Sequence, residues 1–299
     1  MPVEDLGRHG RRIAGSCLVF DHVDRVRGSA ARRPEVRKLL AAWGGRIAGA
    51  PPAAAARSDD KIAARRKLLG ARIPVPRGMD GWPGRQLPEA CTGLRAPLVV
   101  KLPLEHGSRG ILLVRNPAGL PEAIRSLAGG RGRQRVLIEE HVDGRELAAA
   151  VVEVRGIPRC LPLVEVDLGR SPVYSQTTKW GRGDLPIHAA VLSGAAEERV
   201  RAAAVGAFRA LGLRDYARFD LRIDGRGTPR ILEANVRPSL EEGTEMPLAA
   251  RLVGLGLADL LALIILSAAR RHNVLRQLPE KARAAARAAE RSILKRGCP

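Results

Sequence analysis

The sequence predicts a mixed α/β chain of the α+β class whose sheets are largely antiparallel. Three observations support this. Short β-rich runs come in pairs across turn residues, as in RVLIEEHV, DGR, ELAAAVVEV (135–154) and FDLRID, GRGTP, RILEAN (219–235). Strong helical patterns such as AAEERVRAAAVGAFRALG (195–212) stand between those pairs. Helices do not separate successive strands regularly, as a doubly wound parallel sheet requires.

In chain order, residues 1–57 have little periodicity, and APPAAAARS (50–58) reads as a linker or loop. Ser58 or Asp59 then caps a helix, DDKIAARRKLLGA, with Ile62, Ala63, Leu68 and Leu69 in one stripe and Gly70 near its end. The loop IPVPRG leads to the strand APLVVK, which ends on Lys101. The glycine-bearing loop LPLEHGSRG and the strand ILLVRN follow, then PEAIRSLAGG, a helix with Pro121 in its first turn. After the first hairpin, CLPLVEVDL reads as one more strand and GRSPVYSQTTKWGRGDLP (169–186) as a surface loop. Beyond the second hairpin, residues 248–266 give two helices, and 279–296 form an Arg/Ala-rich helical tail.

Composition narrows the function classes. A chain of 299 residues has room for two compact units with real cores. LADLLALIILSAA (257–269) contains Asp259 and is too short to cross a bilayer, so no membrane span is expected. MPVEDLGRHGRR has no apolar core behind it, which leaves the cytoplasm as the expected compartment. Cys17, Cys91, Cys160 and Cys298 lack paired spacing and read as free thiols rather than a zinc site or disulfide framework. The net charge of +20 invites a polyanion partner, but the arginines are spread along the chain and only 3% of residues are aromatic, so few platforms exist for base stacking. Nucleic acid is therefore not the expected partner. Only seven of the 51 basic residues are lysines, so a lysine at a suggestive position is informative.

The chemistry centres on RILEANVRP. A register pairing Asp220 with Glu233 places the turn at Arg226 and Gly227, and Asn235 shares a face with Glu233 because strand side chains alternate. Cross-strand carboxylates about 5 Å apart repel unless a cation sits between them. Magnesium suits such a set, since it takes hard oxygen ligands and completes its shell with substrate phosphates. The alternative is pairing of these acids with Arg218, Arg222 or Arg237. A second constellation, Lys101 with Gly107, Ser108 and Gly110 behind it, offers an ammonium and backbone N–H groups to an anion. A third, LIEEHVDGRE, ends an apolar strand on acids, leaving backbone groups for a purine edge and Glu146 for ribose hydroxyls.

Taken in order, the helix with DK, VVK with its Gly/Ser loop, LIEEHVDGRE, RFDLRID and LEANVRP resemble the landmarks of the ATP-grasp superfamily. The most similar branch is the D-alanine:D-alanine ligases, and the resemblance spans roughly 45–266. It implies two α+β subdomains gripping ATP: 58–138 as central and lid subdomain, and 139–272 as the C-terminal subdomain with the metal site. A shortened N-terminal region (1–57) precedes them, and a basic helical tail (273–299) follows.

By the same resemblance, Lys61 and Lys101 hold ATP phosphates under the loop with Gly107, Ser108 and Gly110. Glu139, Glu140, His141 and Val142 form the adenine hinge, with Glu146 on the ribose. Asp220, Glu233 and Asn235 hold two Mg2+ ions (Mn2+ being the alternative metal), with Glu233 bridging. Arg218 stabilises the transferred phosphoryl group, and Lys179 swings in over the γ-phosphate. The implied reaction is ligation of a carboxylate and an amine, such as amino acids or peptides, through an acyl phosphate, with lid closure excluding water. Family members are often dimers, and the shortened N-terminal region bears on whether this chain forms such a homodimer.

The chain departs from the family pattern in two places. The glycine-glycine, serine, glutamate motif that holds the first substrate's ammonium is missing, so that site is rebuilt, borrowed from another chain or absent. After LEANVRP, Ser239, Glu241 and Thr244 stand where the family has glycine, threonine and serine. The acids Glu241, Glu242 and Glu245 there suit a cationic or amine-bearing substrate, or else form a solvated loop. His106 reads as a surface residue. The competing functional reading is a catalytically incomplete nucleotide-binding protein whose tail, KARAAARAAERSILKR, binds nucleic acid or anionic membrane.

Overall fold

A computed structural model gives the fold and describes residues 10, 12, 15–16, 18–23, 26, 29, 32–81, 93–107, 109–127, 134–169, 185–296 and 298. The larger sheet is antiparallel, in the order β10 (Ile187–Ala189), β9 (Val164–Val166), β7 (Arg145–Val154), β11 (Tyr216–Ile223), β12 (Pro229–Asn235), and β8 (Ile157–Cys160) also pairs with β7. The smaller sheet is likewise antiparallel, in the order β3 (Gly78–Gly81), β6 (Val136–Glu140), β4 (Leu98–Lys101), β5 (Ile111–Val114). A two-residue parallel pair, β1 (Val19–Phe20) with β2 (Ile47–Ala48), lies before both.

β7 is buried along nearly its whole length because both faces of the larger sheet are covered. On one face Leu147, Val151, Phe219 and Leu221 pack against Val200, Phe208 and Leu211 of α5 (Gly194–Leu211). On the other, Ala148, Val152 and Val164 meet Met246 of α6 (Glu245–Arg251), Leu260 and Ile264 of α7 (Leu257–Arg271), and Ile293 of α8 (Glu280–Lys295). Full burial of a side chain such as Phe208 or Phe219 contributes about 2–3 kcal/mol. α5 ends on Gly212 in the left-handed conformation. In the smaller sheet, Leu98, Val100 and Ile138 pack under Leu120 and Ile124 of α4 (Leu120–Leu127), which has Pro121 in its first turn as expected.

Four local expectations need correction. Residues 52–58 are not a linker: Pro52 opens a helix, α2 (Pro52–Asp59), because proline is pre-set for a first turn and alanine is the best helix former. The next helix, α3 (Lys61–Gly70), is capped by Asp60, whose carboxylate accepts from Ile62 N–H and Ala63 N–H. Asp59 is buried among arginines instead. CLPLVEVDL divides into β8 and β9 around Pro162, which has no N–H for a ladder. Finally, residues 1–57 hold structure of their own: α1 (Arg33–Ala42) places Val36 and Leu40 against Val19 and Ile47.

Among the described residues no helix is long and apolar enough to cross a membrane. Cys160 and Cys298 are free and buried, and Cys17 and Cys91 lie outside the described residues.

Candidate functional site

The two sheets face each other across a cleft of about 740 Å³. The larger sheet supplies the acids. Arg218, Asp220 and Arg222 of β11 line the cleft, while Phe219, Leu221 and Ile223, which alternate with them, are core residues. Asp220 stands opposite Glu233 as expected, but Leu221 stands opposite Ile231, so Leu232 is an extra residue in β12. This bulge explains how a buried strand ends on polar groups. With strict alternation, Glu233 would share the buried face of Ile231. The extra residue reverses the phase: Ile231, Ala234 and Val236 enter the core, whereas Leu232, Glu233 and Asn235 line the cleft.

The two carboxylates have separate partners. Arg218 grips Asp220 with two parallel bonds, Nε to Oδ1 at 2.7 Å and NH2 to Oδ2 at 2.9 Å, and its NH1 donates to Glu245 at 2.6 Å. Burial raises the Asp220 pKa and Arg218 opposes the rise. Burial acts against the Arg218 charge too, but Asp220 and Glu245 outweigh it and hold the guanidinium charged. Glu233 Oε1 accepts from Lys61 Nζ at 3.0 Å and bonds His106 Nδ1 at 2.9 Å. Burial disfavours the Glu233 charge, yet Lys61 and His106 hold its pKa well below the usual carboxylate range. His106 is therefore no surface residue: the loop between β4 and β5 carries it into the cleft, where its side chain is 12% exposed.

Lys61, set at the start of α3 by the Asp60 cap, also donates to the Glu105 carbonyl. Lys101 Nζ donates to Glu139 at 2.8 Å, and Arg65 lies 3.5 Å from the same carboxylate. Glu139 thus faces lysine and arginine side chains at the base of the cleft. Gly107 lines the cleft at φ +66°. Gly110 instead closes the loop, its carbonyl accepting from Leu102 N–H at 2.9 Å. Ser108 and Lys179 lie outside the described residues.

Glu140, His141 and Val142 also line the cleft, but not all their backbone groups are free. Glu140 N–H donates to Arg77 C=O at 2.7 Å and His141 N–H to Pro97 C=O at 2.8 Å. Arg222 orders the rest of the segment: NH1 donates to Val142 C=O at 3.0 Å and meets His141 Nε2 at 2.8 Å, and Nε donates to Glu146 at 3.0 Å. Burial raises the Glu146 pKa, with Arg222 opposing. The DGR turn before Glu146 needs its glycine: Gly144 has φ +145°, and a Cβ there would lie 2.1 Å from the Ile223 carbonyl oxygen.

Ser239, Glu241, Glu242, Thr244 and Glu245 form the cleft's acidic rim. His22, Arg33 and Arg237 form another part of its wall. Sequence reasoning assigned His22 and Arg33 no role, since they lie in the N-terminal region, and treated Arg237 only as an ion-pair partner. Their meeting is set by tertiary contacts for which no motif exists.

Among the described residues no group of three or more His, Cys, Asp or Glu side chains is arranged to enclose a metal ion. Asp220, Glu233 and Asn235 nevertheless suit Mg2+, whose shell needs only one or two protein carboxylates when phosphates supply the remainder. They are hard oxygen donors on one face, with Glu233 held ionised. Asn235 Oδ1 accepts from Arg237 N–H at 3.2 Å, which fixes the carboxamide's orientation.

Comparison with known proteins gives consistent matches. Residues 80–266 match the model of the D-ala D-ala ligase C-terminus. The D-alanine–D-alanine ligase of Desulforudis audaxviator is 35% identical over 229 residues, covering 75% of this chain and 73% of that protein. An uncharacterized protein of Sinorhizobium fredii, y4sG, is 31% identical over 276 residues, 91% of this chain and 79% of its own. Among solved structures, D-alanine–D-alanine ligase from Bacillus anthracis complexed with ATP superposes with a TM-score of 0.74 at 20% identity, covering 90% of this chain and 84% of that one. VanG D-Ala:D-Ser ligase from Enterococcus faecalis gives a TM-score of 0.72 at 24% identity, covering 86% and 77%. At these identities the structural matches speak for the fold.

Proposed function

The chain belongs to the D-alanine–D-alanine ligase family, an ATP-grasp family of ATP-dependent ligases that form C–N bonds, and from that membership we propose that it joins a carboxylate to an amine through an acyl phosphate. The observation that carries the proposal is a charge pattern. One cleft brings the cross-strand acids Asp220 and Glu233 together with the cations Lys61, Lys101 and Arg218. Phosphoryl transfer asks this of a protein, because its contribution is positioning and electrostatic stabilisation.

In this reading, Lys61 and Lys101 bind the phosphates, and Gly107 allows the loop to approach them closely. Arg218 faces the transferred phosphoryl group, and the family pattern alone assigns Ser108 to the phosphate loop and Lys179 to the γ-phosphate. Glu139 to Val142 flank the adenine and Glu146 the ribose. With the N–H groups of Glu140 and His141 engaged within the protein, the purine edge is read by the segment's remaining groups. Asp220, Glu233 and Asn235 would hold Mg2+, which when bound neutralises phosphate charge. Within the protein Lys61 pairs with Glu233, which also bonds His106, and Arg218 pairs with Asp220, so the acids stand among the groups that would meet the phosphates. The substrate carboxylate attacks the γ-phosphorus and displaces ADP, and the amine then attacks the carbonyl carbon of the acyl phosphate, releasing phosphate and a proton as the amide forms. A closed cleft keeps water from that intermediate.

The test is phosphate release from MgATP by the full chain across pairs of amino acids and dipeptides, with mass spectrometry of the product. Phosphate release dependent on both partners, with a product lighter than their sum by one water, is expected. ATP binding without two-substrate dependence across the panel would contradict the ligase reading.

A further inference from the structure

His106 joins the two sheets at the carboxylate on which the candidate metal site centres. It sits on the loop between β4 and β5, in the smaller sheet, whereas Glu233 belongs to β12 of the larger one. Its Nδ1 lies 2.9 Å from Glu233 Oε1, and its side chain is 12% exposed. An ionised carboxylate only accepts, so Nδ1 carries the hydrogen of this bond. The other ring nitrogen does not hold the ring: Nε2 is buried with no hydrogen-bond partner among the described residues, and Asp59 Oδ1 is 3.9 Å away. Buried polar atoms are ordinarily paired, so a ring that leaves one nitrogen unpaired is fixed here by its bond to Glu233.

The same oxygen accepts from Lys61 Nζ at 3.0 Å. Lys61 is tied to the His106 loop twice more, through its N–H to the Pro103 carbonyl at 3.0 Å and through Nζ to the Glu105 carbonyl. Loop, α3 and β12 therefore meet at Glu233 Oε1. The two donors differ in what they can fix: an ammonium on a four-carbon stem is a point charge with rotatable donors, whereas imidazole offers an N–H in the plane of a rigid ring. His106 thus sets the orientation of the carboxylate, whose side chain is 21% exposed where it lines the cleft. Hydrogen bonds of this kind orient metal-ligating carboxylates, and their loss lowers metal affinity by roughly 10- to 100-fold.

Resting on the ligase reading above, we propose that His106 is a positioning residue for the metal-binding carboxylate: its Nδ1–H, carried in by the phosphate-binding loop, orients Glu233 and couples that loop to Mg2+. Nucleotide and metal then strengthen each other's binding, reciprocally, through a contact that spans the two sheets.

Isothermal titration of the full chain with ADP over a series of Mg2+ concentrations tests this. His106→Ala should raise the Mg2+ concentration needed for tight ADP binding by about 10-fold or more, while ADP affinity without Mg2+ stays within about twofold of wild type. The position of the donor then separates hydrogen bonding from bulk. In His106→Asn the amide nitrogen stands where Nδ1 stands and should bring the Mg2+ requirement back to within about threefold of wild type, whereas His106→Gln, with its nitrogen one atom further out, should resemble His106→Ala. An unchanged Mg2+ requirement in His106→Ala, equal requirements in His106→Asn and His106→Gln, or an equal loss of ADP affinity with and without Mg2+ overturns the proposal. Melting curves identify a variant that fails to fold; the comparison of His106→Asn with His106→Gln stands without His106→Ala, and failure of all three to fold overturns the proposal in favour of a structural role. A wild type whose ADP binding ignores Mg2+ overturns the metal reading itself, and that result is read before any variant.

Discussion

Replacing Glu233 by glutamine keeps the shape of the side chain and removes its charge, which isolates what that charge does. The Glu233 carboxylate faces Lys61 Nζ at 3.0 Å and bonds His106 at 2.9 Å. Two unit charges at that separation attract by roughly 5 kcal/mol at an effective dielectric constant of about 20. Desolvation cancels much of this, and the Glu233 side chain is 21% exposed, so the net loss at pH 7 should be about 1–3 kcal/mol. For a chain of this size that lowers the melting temperature by about 2–10 °C.

The pH dependence gives a second reading of the same change. Glu233 has a depressed pKa in the fold, so its stabilisation is complete above the unfolded-state value of about 4.3 and declines as pH falls below it. Melting curves of wild type and Glu233→Gln, followed by circular dichroism from pH 7 to pH 3, should therefore converge at the acid end. Phosphate release by the variant should fall by at least about 100-fold, as for loss of a preorganised electrostatic group. A gap in melting temperature that persists or widens on acidification would refute the electrostatic reasoning, and wild-type turnover would refute the metal role.

Glu146→Gln should behave in the opposite sense. Its pKa is raised by burial, so the ionised form costs stability once pH rises above the unfolded value, and the glutamine variant should melt no lower than wild type at pH 7 while binding ADP about 10-fold more weakly. A large drop in melting temperature with unchanged ADP affinity would assign Glu146 a structural role. Gly144→Ala forces a Cβ to within 2.1 Å of the Ile223 carbonyl oxygen, so stability should fall by about 3 kcal/mol or more in urea titrations, and a loss under about 1 kcal/mol would show that the turn yields. Arg145→Ala removes an ion pair with Glu165 in which the arginine side chain is 42% exposed; melting should change little, by about 1 kcal/mol at most.

The hairpin that carries the acids was legible in the sequence because period-two alternation and turn glycines fix a register, and Asp220 does oppose Glu233. The bulge at Leu232 was not, since one extra residue leaves no compositional mark, although without it Glu233 would face the core. α2 was mistaken for a linker because alanine and proline are common to both, and only packing of Ala54 and Ala55 into the core distinguishes them. His106 read as a surface residue because its partner is 127 positions away. The same holds for the arginine wall, whose members meet only when the N-terminal segment folds onto β12. Local chemistry was readable where the participants share a strand or loop; where charge balance depends on distant segments, it was not.

Nucleotide binding with and without magnesium tests most directly whether Asp220, Glu233 and Asn235 join the protein to a phosphate chain. ADP should bind wild type at least about 10-fold more tightly with Mg2+ than without, and Asp220→Asn should shrink that difference to about twofold or less. Equal ADP affinity with and without Mg2+ in the wild type, or a metal effect of the same size in Asp220→Asn, would contradict it.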